Sequence, residues 1–141
     1  MSYANIANMI ARFGEPEVIA LTDRAGVGTL DDAVLAGALA EADAEIEPYL
    51  ASRYSLPVTN VPKILTGFAC DIARYRLCGA GVTETDEVRN RYKDAVKFLE
   101  SVASGKITLG LDAAGIAPAE SASVQVIGGG RTFTRGSLSD Y

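Results

Sequence analysis

The chain has 141 residues, of which 48% are hydrophobic and 22% are charged, and its formal net charge is −5 at pH 7. This length suits a single domain that buries a core without disulfides or metal ions, and no apolar run is long enough to predict a membrane-spanning helix. The absence of histidine excludes Ser-His and Cys-His nucleophile pairs and removes the commonest metal ligand.

Two short helices are predicted first. Residues 5–13 form an amphipathic segment that ends at Gly14, and glycine is a common residue just past a helix. Pro16 suits the first turn of a second helix over residues 15–21. Residues 22–30 contain two glycines and predict a flexible loop. No signal-peptide pattern precedes these helices, so we expect the protein to remain in the cytoplasm where it is made.

Three long helices are predicted next, over residues 31–54, 62–78 and about 84–104. The apolar residues of the first recur at alternating intervals of four and three, which is typical of one buried helix face. These residues are Leu35, Leu39, Ala42, Ile46, Tyr49 and Leu50. We therefore expect an all-α core, with short N-terminal helices and three long helices, over residues 1–106.

A corner is predicted between the first two long helices, around the stretch YLASRYSLPV at residues 49–58. Tyr49 belongs to the apolar stripe, and Arg53 is expected in the last helical turn, where a cation is favourable. Proline restricts the residue before it to extended backbone, so Pro57 and Pro62 predict a rigid turn. Arg53 and Tyr54 are expected to brace this corner, and a ligand role for them is the alternative.

No catalytic, metal or cofactor site is expected. The two cysteines lie eight residues apart on one predicted helix, about 12 Å at a rise of about 1.5 Å per residue, which is too far for a disulfide. The glycine groups at 26–28 and 128–130 lack the strand-to-helix context of a phosphate-binding loop. Carboxylate-only catalysis would need buried acids, and the acids here are expected on exposed helix faces. We expect a protein without enzymatic activity.

Charge is segregated along the sequence. Residues 1–50 hold nine acids and two bases, whereas residues 51–141 hold nine acids and eleven bases. Acids spaced by four residues occur on the first long helix and bases at the same spacing on the third. The two rows are Glu41, Asp43, Glu45 and Glu47, and Arg89, Lys93 and Lys97. They predict a solvated surface, a contact between opposite charges of neighbouring subunits, or acids that line a DNA-containing lumen.

Residues 107–141 are predicted to form a linker and an extended arm. Helical periodicity stops at Ile107, residues 113–123 are small and polar, and strand-like alternation surrounds the glycines at 128–130. A lone pair of strands is marginal in water, so the arm is expected either to be disordered or to dock on a partner by strand addition. The candidate docking residues are Val124, Val126, Arg131, Phe133, Arg135, Leu138 and Tyr141.

Four blocks resemble a Mu-like family of small phage and prophage proteins described as head-tail joining proteins. The blocks are ADAEIEPYLASRYSLPV, VPKILTGFACDIARYRL, RYKDAVKFLESVASGKITLG and RTFTRGSL. The resemblance implies an adaptor that forms a ring, dodecameric to match the portal, between the portal protein and a downstream tail or stopper protein. DNA would pass through the lumen without specific binding. The protein would lie in the virion, and in the host cytoplasm during assembly. The family implies no catalytic or cofactor residues.

A small helical regulatory or nucleic-acid-binding protein is the alternative, because three helices with a sharp corner resemble a helix-turn-helix. The sequence pI of about 4.7 and the lack of a basic recognition helix argue against it, since phosphate contacts supply most nucleic-acid affinity.

Overall fold

A computed structural model describes residues 2–79 and 82–111, and within them the chain forms helices and loops without strands. The five helices are α1 (Ile6–Phe13), α2 (Glu15–Thr22), α3 (Asp32–Ala51), α4 (Lys63–Leu77) and α5 (Asp86–Ala103). The all-α prediction is confirmed for this part of the chain. The predicted β arm and its seven candidate docking residues lie outside the described residues.

The helix starts follow local capping chemistry. The Asn5 side chain accepts the Asn8 backbone N–H, and the Asn8 side chain accepts that of Asn5, each at 2.9 Å, which is a capping box. Asp31 accepts two N–H groups at the start of α3, and Thr85 accepts one at the start of α5. These caps satisfy backbone donors that have no partner within the helix.

The three long helices pack against one another, and α4 contacts both others. Phe68 and Phe98 pair at 4.7 Å between ring centroids, and Tyr75 stacks on Tyr92 at 4.1 Å. Because Phe68 precedes Tyr75 in α4 while Phe98 follows Tyr92 in α5, these two helices are antiparallel. The α1 and α2 helices pack against α4 and α3. The largest fully buried apolar side chains are Met9, Leu35, Ile46, Leu50, Leu65, Ile72, Leu77 and Leu99.

Two expectations about the corner are wrong. The α3 helix ends at Ala51 and not near Tyr54, because the chain tightens after Leu50, whose carbonyl accepts both the Arg53 and Tyr54 N–H groups. Arg53 therefore lies beyond the last helical turn. This turn also places Tyr54 beneath the corner, where it is 7% exposed. Tyr49 is only half-buried against the core, so Tyr54 takes the core position expected for Tyr49.

The corner contacts the segment that follows α5. The Tyr54 hydroxyl accepts the Leu109 N–H at 3.0 Å, and Leu109 and Leu111 pack against the core. Val58 is fully buried inside the corner, and the peptide bond before Pro57 is cis. The chain thus remains attached to the core up to its last described residue, whereas residues 112–141 of the predicted linker and arm lie outside the described part.

Gly105, which follows α5, is predicted to be sensitive to substitution. It has φ +80, and a Cβ built on it would overlap the Arg53 guanidinium. We expect Gly105→Ala to lower the free energy of unfolding by about 1–2 kcal/mol, because alanine is strained at this φ and displaces Arg53. Urea denaturation measures this, and Gly37→Ala is the control. Gly37 lies inside α3 with open space around it, so its substitution should stabilise the protein by about 0.5–1 kcal/mol. An unchanged midpoint for Gly105→Ala would contradict the prediction.

Candidate functional site

One acid of the predicted row, Glu45, joins the three long helices. Its Oε1 accepts a hydrogen bond from the Tyr92 hydroxyl at 2.7 Å, and its Oε2 accepts one from Nη2 of Arg76 at 2.7 Å. Tyr92 is also stacked on Tyr75 with an interplanar angle of 11°. Both carboxylate oxygens therefore have partners within the subunit, and Glu45 is used to hold α3, α4 and α5 together.

Alkaline pH should destabilise the fold through the ionisation of two tyrosines, Tyr92 and Tyr3. The hydrogen bond to Glu45, followed by burial, raises the pKa of Tyr92 from 10.0 to about 12, and burial raises the pKa of Tyr3 to about 12. Because both folded pKa values lie above the unfolded value, the associated stability is present below pH 10 and is lost as the pH rises towards 12.

We therefore expect the unfolding free energy to fall over this pH range. In the folded chain, tyrosinate absorbance should appear at a higher pH than in the unfolded chain. Tyr92→Phe should reduce the slope of stability against pH in this range, because one of the two shifted groups is removed. The measurement is urea denaturation at stepped alkaline pH, with Tyr49→Phe as the control that keeps both groups. A wild-type slope in the Tyr92→Phe variant would contradict the assignment.

The expectation that the acids lie on exposed faces is wrong for Asp43 and Asp71. Asp43 is 9% exposed and accepts the backbone N–H of Tyr3 at 2.9 Å. Burial raises the pKa of Asp43, and this hydrogen bond partly opposes the rise. A buried carboxylate needs such a donor. Asp43 thus fixes the N-terminal segment on α3 and is not available to a neighbouring subunit.

Asp71 is the centre of an ion-pair cluster that the sequence analysis missed. Its side chain is 4% exposed, and both of its oxygens accept hydrogen bonds from Arg12, at 3.0 Å from Nε and 2.7 Å from Nη2. A second cation, Arg91, lies 3.8 Å from Oδ1 of Asp71. Gly67 makes room for Arg12, because a Cβ there would lie 3.2 Å from its Nη1. The signal was a single acid inside the apolar run FACDIA, since a charge in a buried helix face requires a partner.

Arg74 forms the second part of this junction. Its guanidinium lies 4.7 Å from the centroid of the Phe13 ring, pairs with Glu17, and is 3.7 Å from Glu87. Its Nε is buried without an acceptor among the described residues. These contacts connect α1, α2 and α5 to α4. They bring four helices together around one guanidinium.

The basic row on α5 lies on a helix face that also carries acids. Arg89 pairs with Glu84 and Asp86 of its own subunit. Lys93 and Lys97 are exposed and make no ion pair within residues 2–79 and 82–111. The exposed face of α5 also carries two acids, Asp94 and Glu100. On α3, Glu41 and Glu47 are the row members with neither an ion pair nor a side-chain hydrogen bond to the described part of the chain. The row-to-row contact stays a prediction, now with four available residues.

One end of the helical core combines exposed apolar side chains with unpaired cations. Leu56, Ile64 and Ile107 are 37%, 47% and 37% exposed. They lie where α3 ends, α4 begins and α5 ends, and residues 52–66 and 101–111 contain no acid. We call this surface the corner end. Its residues are Arg53, Leu56, Lys63, Ile64, Lys106 and Ile107. Its cations have no ion pair in the described ranges. The sequence analysis missed it because its three segments are distant in the chain.

The opposite end carries the loop before α3. Asp23 accepts the N–H groups of Val27 at 2.9 Å and Gly28 at 2.6 Å, and these bonds lower the pKa of Asp23. The expected flexible loop is therefore held by a side chain, and Val27 stands at its tip with 70% exposure. Asp31 and Asp32 complete a surface that we call the loop end, defined by Asp23, Val27, Asp31 and Asp32. The exposed Arg24 adds one cation beside these three carboxylates.

The cysteine prediction is confirmed, because both cysteines are free. Burial raises the pKa of Cys70 to about 11, so its thiol stays protonated at neutral pH. Over residues 2–79 and 82–111, no group of three or more acids or cysteines is arranged to hold a metal ion. None of the helices in this same part of the chain is long and apolar enough to span a membrane.

Comparisons with known proteins point to bacteriophages. The family described as Bacteriophage Mu, Gp36 matches residues 3–127 of the chain. The Mu-like prophage FluMu protein gp36 of Haemophilus influenzae is 39% identical over 109 residues, which cover 77% of this chain and 76% of that protein. Gene product J of Escherichia phage Mu is 37% identical over 113 residues, which cover 79% of each chain. The family match includes all five helices.

Proposed function

The chain belongs to the Bacteriophage Mu Gp36 family of phage proteins, and from this membership we propose that it is a structural virion protein, a head-tail connector. In this proposal its subunits form a ring under the portal and join the capsid to the tail. The observation that carries the proposal is a rigid helical core with uncovered apolar side chains at both of its ends. Exposed apolar side chains that lie together are typical of surfaces that contact other proteins.

The internal contacts support a connector. Ion pairs of Asp71 and Arg74, which are themselves largely buried, connect α1, α2 and α5 to α4, and Glu45 links the three long helices. Such a junction keeps the two ends of a subunit at a constant distance while leaving their surfaces open. We propose no enzymatic role, because the charged clusters of the described residues are used in these structural pairs.

The proposed partners are other copies of the chain, the portal protein on the capsid side and a tail or stopper protein on the other side. DNA would pass through the ring without specific binding. The exposed Glu41 and the half-buried Glu47 are candidates for the lumen, where negative charge would repel the passing phosphates. The C-terminal arm, residues 121–141, is proposed to dock on the portal, with Phe133, Leu138 and Tyr141 as apolar anchors.

Removal of the arm should separate folding from portal binding. Deleting residues 121–141 leaves Leu109 and Leu111, which pack on the core, so helix content and Tm should stay near the values of the full chain. Binding to the portal should be lost, because strand addition and the anchor residues are both removed. The full chain with Phe133→Ser is the matched control and should bind with reduced affinity. Undiminished portal binding by the truncated chain would assign the arm to another contact.

Gene removal in the phage or prophage that encodes the protein tests the proposed role. We expect DNA-filled heads without tails, together with separate tails, and we expect the protein supplied from a plasmid to restore tailed particles. Tailed, infectious virions in the absence of the gene would overturn the connector function. Regulation of phage genes without an assembly defect would instead favour the nucleic-acid-binding alternative.

A further inference from the structure

We propose that neighbouring subunits contact each other end to end, with the loop end of one copy docked on the corner end of the next. This inference rests on the proposed ring-forming function and names the two surfaces that form the ring. In this proposal the end-to-end contact takes the place of the row-to-row contact, because three of the seven charged-row residues, Asp43, Glu45 and Arg89, have partners within the subunit.

The corner end has the composition of a docking surface for an acidic, partly apolar partner. Leu56, Ile64 and Ile107 remain exposed, although burying such side chains is favourable by about 25 cal/mol per Å². Arg53, Lys63 and Lys106 lie in the same three segments, and no acid occurs in these segments. A partner that offers an apolar side chain among carboxylates would satisfy both features.

The loop end of a second copy offers that combination. Val27 is the most exposed of the large hydrophobic side chains in the described residues. Asp23 holds the backbone of the loop through two N–H groups, so Val27 is presented with little entropy left to lose on docking. The carboxylates of Asp23, Asp31 and Asp32 enter no ion pair with the described part of the chain, and Asp23 is kept ionised by its lowered pKa.

The two surfaces cannot meet within one subunit. The loop end precedes α3 and the corner end follows it, and a helix of 20 residues is about 30 Å long at a rise of about 1.5 Å per residue. A contact between them is therefore heterologous, and it forms a ring when the rotation between successive copies closes. Acids before α3 and bases after it also suit the helix dipole, but the dipole does not explain exposed apolar side chains at both ends.

Duplex DNA is a less suitable occupant of the corner end. Phosphate contacts would use the cations, but they would leave Leu56, Ile64 and Ile107 without an apolar partner. The exposed face of α5 is also less suitable for the subunit contact, because Lys93 and Lys97 share it with Asp94 and Glu100. Charge complementarity and apolar surface coincide at the two ends of the core.

Two exposed-site variants of the full chain test the contact by complementation. The corner variant carries Lys63→Glu and Lys106→Glu, and the loop variant carries Val27→Asp. All of these positions are exposed, and circular dichroism should show unchanged helix content. We expect the wild-type chain to assemble with rising concentration, and each variant to assemble with at least about tenfold weaker affinity. An equimolar mixture of the two variants should give a dimer and no larger species. The corner variant keeps an intact loop end and the loop variant keeps an intact corner end, so each pair can form one contact only.

Sedimentation velocity distinguishes the outcomes, with Lys93→Glu plus Lys97→Glu as the control that should assemble like the wild type. The proposal is overturned by a wild-type chain that stays monomeric, by a mixture that gives no dimer, or by a control that alone loses assembly. Loss of duplex DNA binding in the corner variant with unchanged assembly would assign the corner end to nucleic acid and also overturn it. If the corner variant still forms rings on the portal, the end-to-end contact is wrong while the connector function stands.

Discussion

Replacing Tyr54 by alanine should lower the free energy of unfolding by about 3–4 kcal/mol, the range expected for truncation of a buried aromatic side chain. Tyr54 is 7% exposed beneath the corner, and its hydroxyl accepts the Leu109 N–H. The variant therefore loses apolar packing and leaves a backbone donor without its partner. Urea denaturation of the purified chain measures the change.

Two further substitutions separate the contributions of Tyr54. Tyr54→Phe removes only the hydroxyl and should cost about 1 kcal/mol. Tyr49→Ala should cost clearly less than Tyr54→Ala, because Tyr49 is half-buried on the surface of the core. A larger loss for Tyr49→Ala than for Tyr54→Ala would show that the corner has been described incorrectly.

Replacing Arg12 by methionine should cost about 2–4 kcal/mol, because it leaves the buried Asp71 carboxylate without its bidentate partner. Arg91 lies 3.8 Å from Asp71 and compensates part of this loss. The expected loss is therefore smaller than the largest losses found when a buried ion pair is broken. Asp71→Asn should cost less, about 1–2 kcal/mol, since the Arg12 side chain is 36% exposed and can be hydrated.

The double variant Arg12→Met with Asp71→Leu completes the cycle. We expect it to be more stable than Arg12→Met alone, because no unpaired charge remains buried. Chemical denaturation of the four proteins gives the coupling energy directly. Equal stability of Arg12→Met and the wild type would mean that the ion pair contributes nothing to the fold, contrary to its geometry.

Local chemistry made the helices predictable. The capping side chains, Gly14 after α1 and the apolar periodicity of α3 depend on residues within a few positions of each other. The place where α3 ends depended on the turn after Leu50, whose carbonyl accepts two N–H groups. That turn exchanged the roles of Tyr49 and Tyr54, which no periodicity within the helix could indicate.

The candidate surfaces depend on distant parts of the chain. Arg12 and Asp71 are separated by 59 positions, and the corner end combines residues that follow α3, begin α4 and follow α5. Sequence spacing predicts neighbours on one helix but not which helix ends converge. Burial likewise depends on the partner helix, which is why Asp43 and Asp71 were expected at the surface and are found inside.

Electron microscopy of the purified chain mixed with the portal protein of its own phage tests the connector proposal most directly. We expect a closed ring of this chain, coaxial with the portal and attached to its tail-facing side, with a central channel wide enough for duplex DNA. A portal that remains bare at saturating concentrations of a folded chain would contradict the proposal.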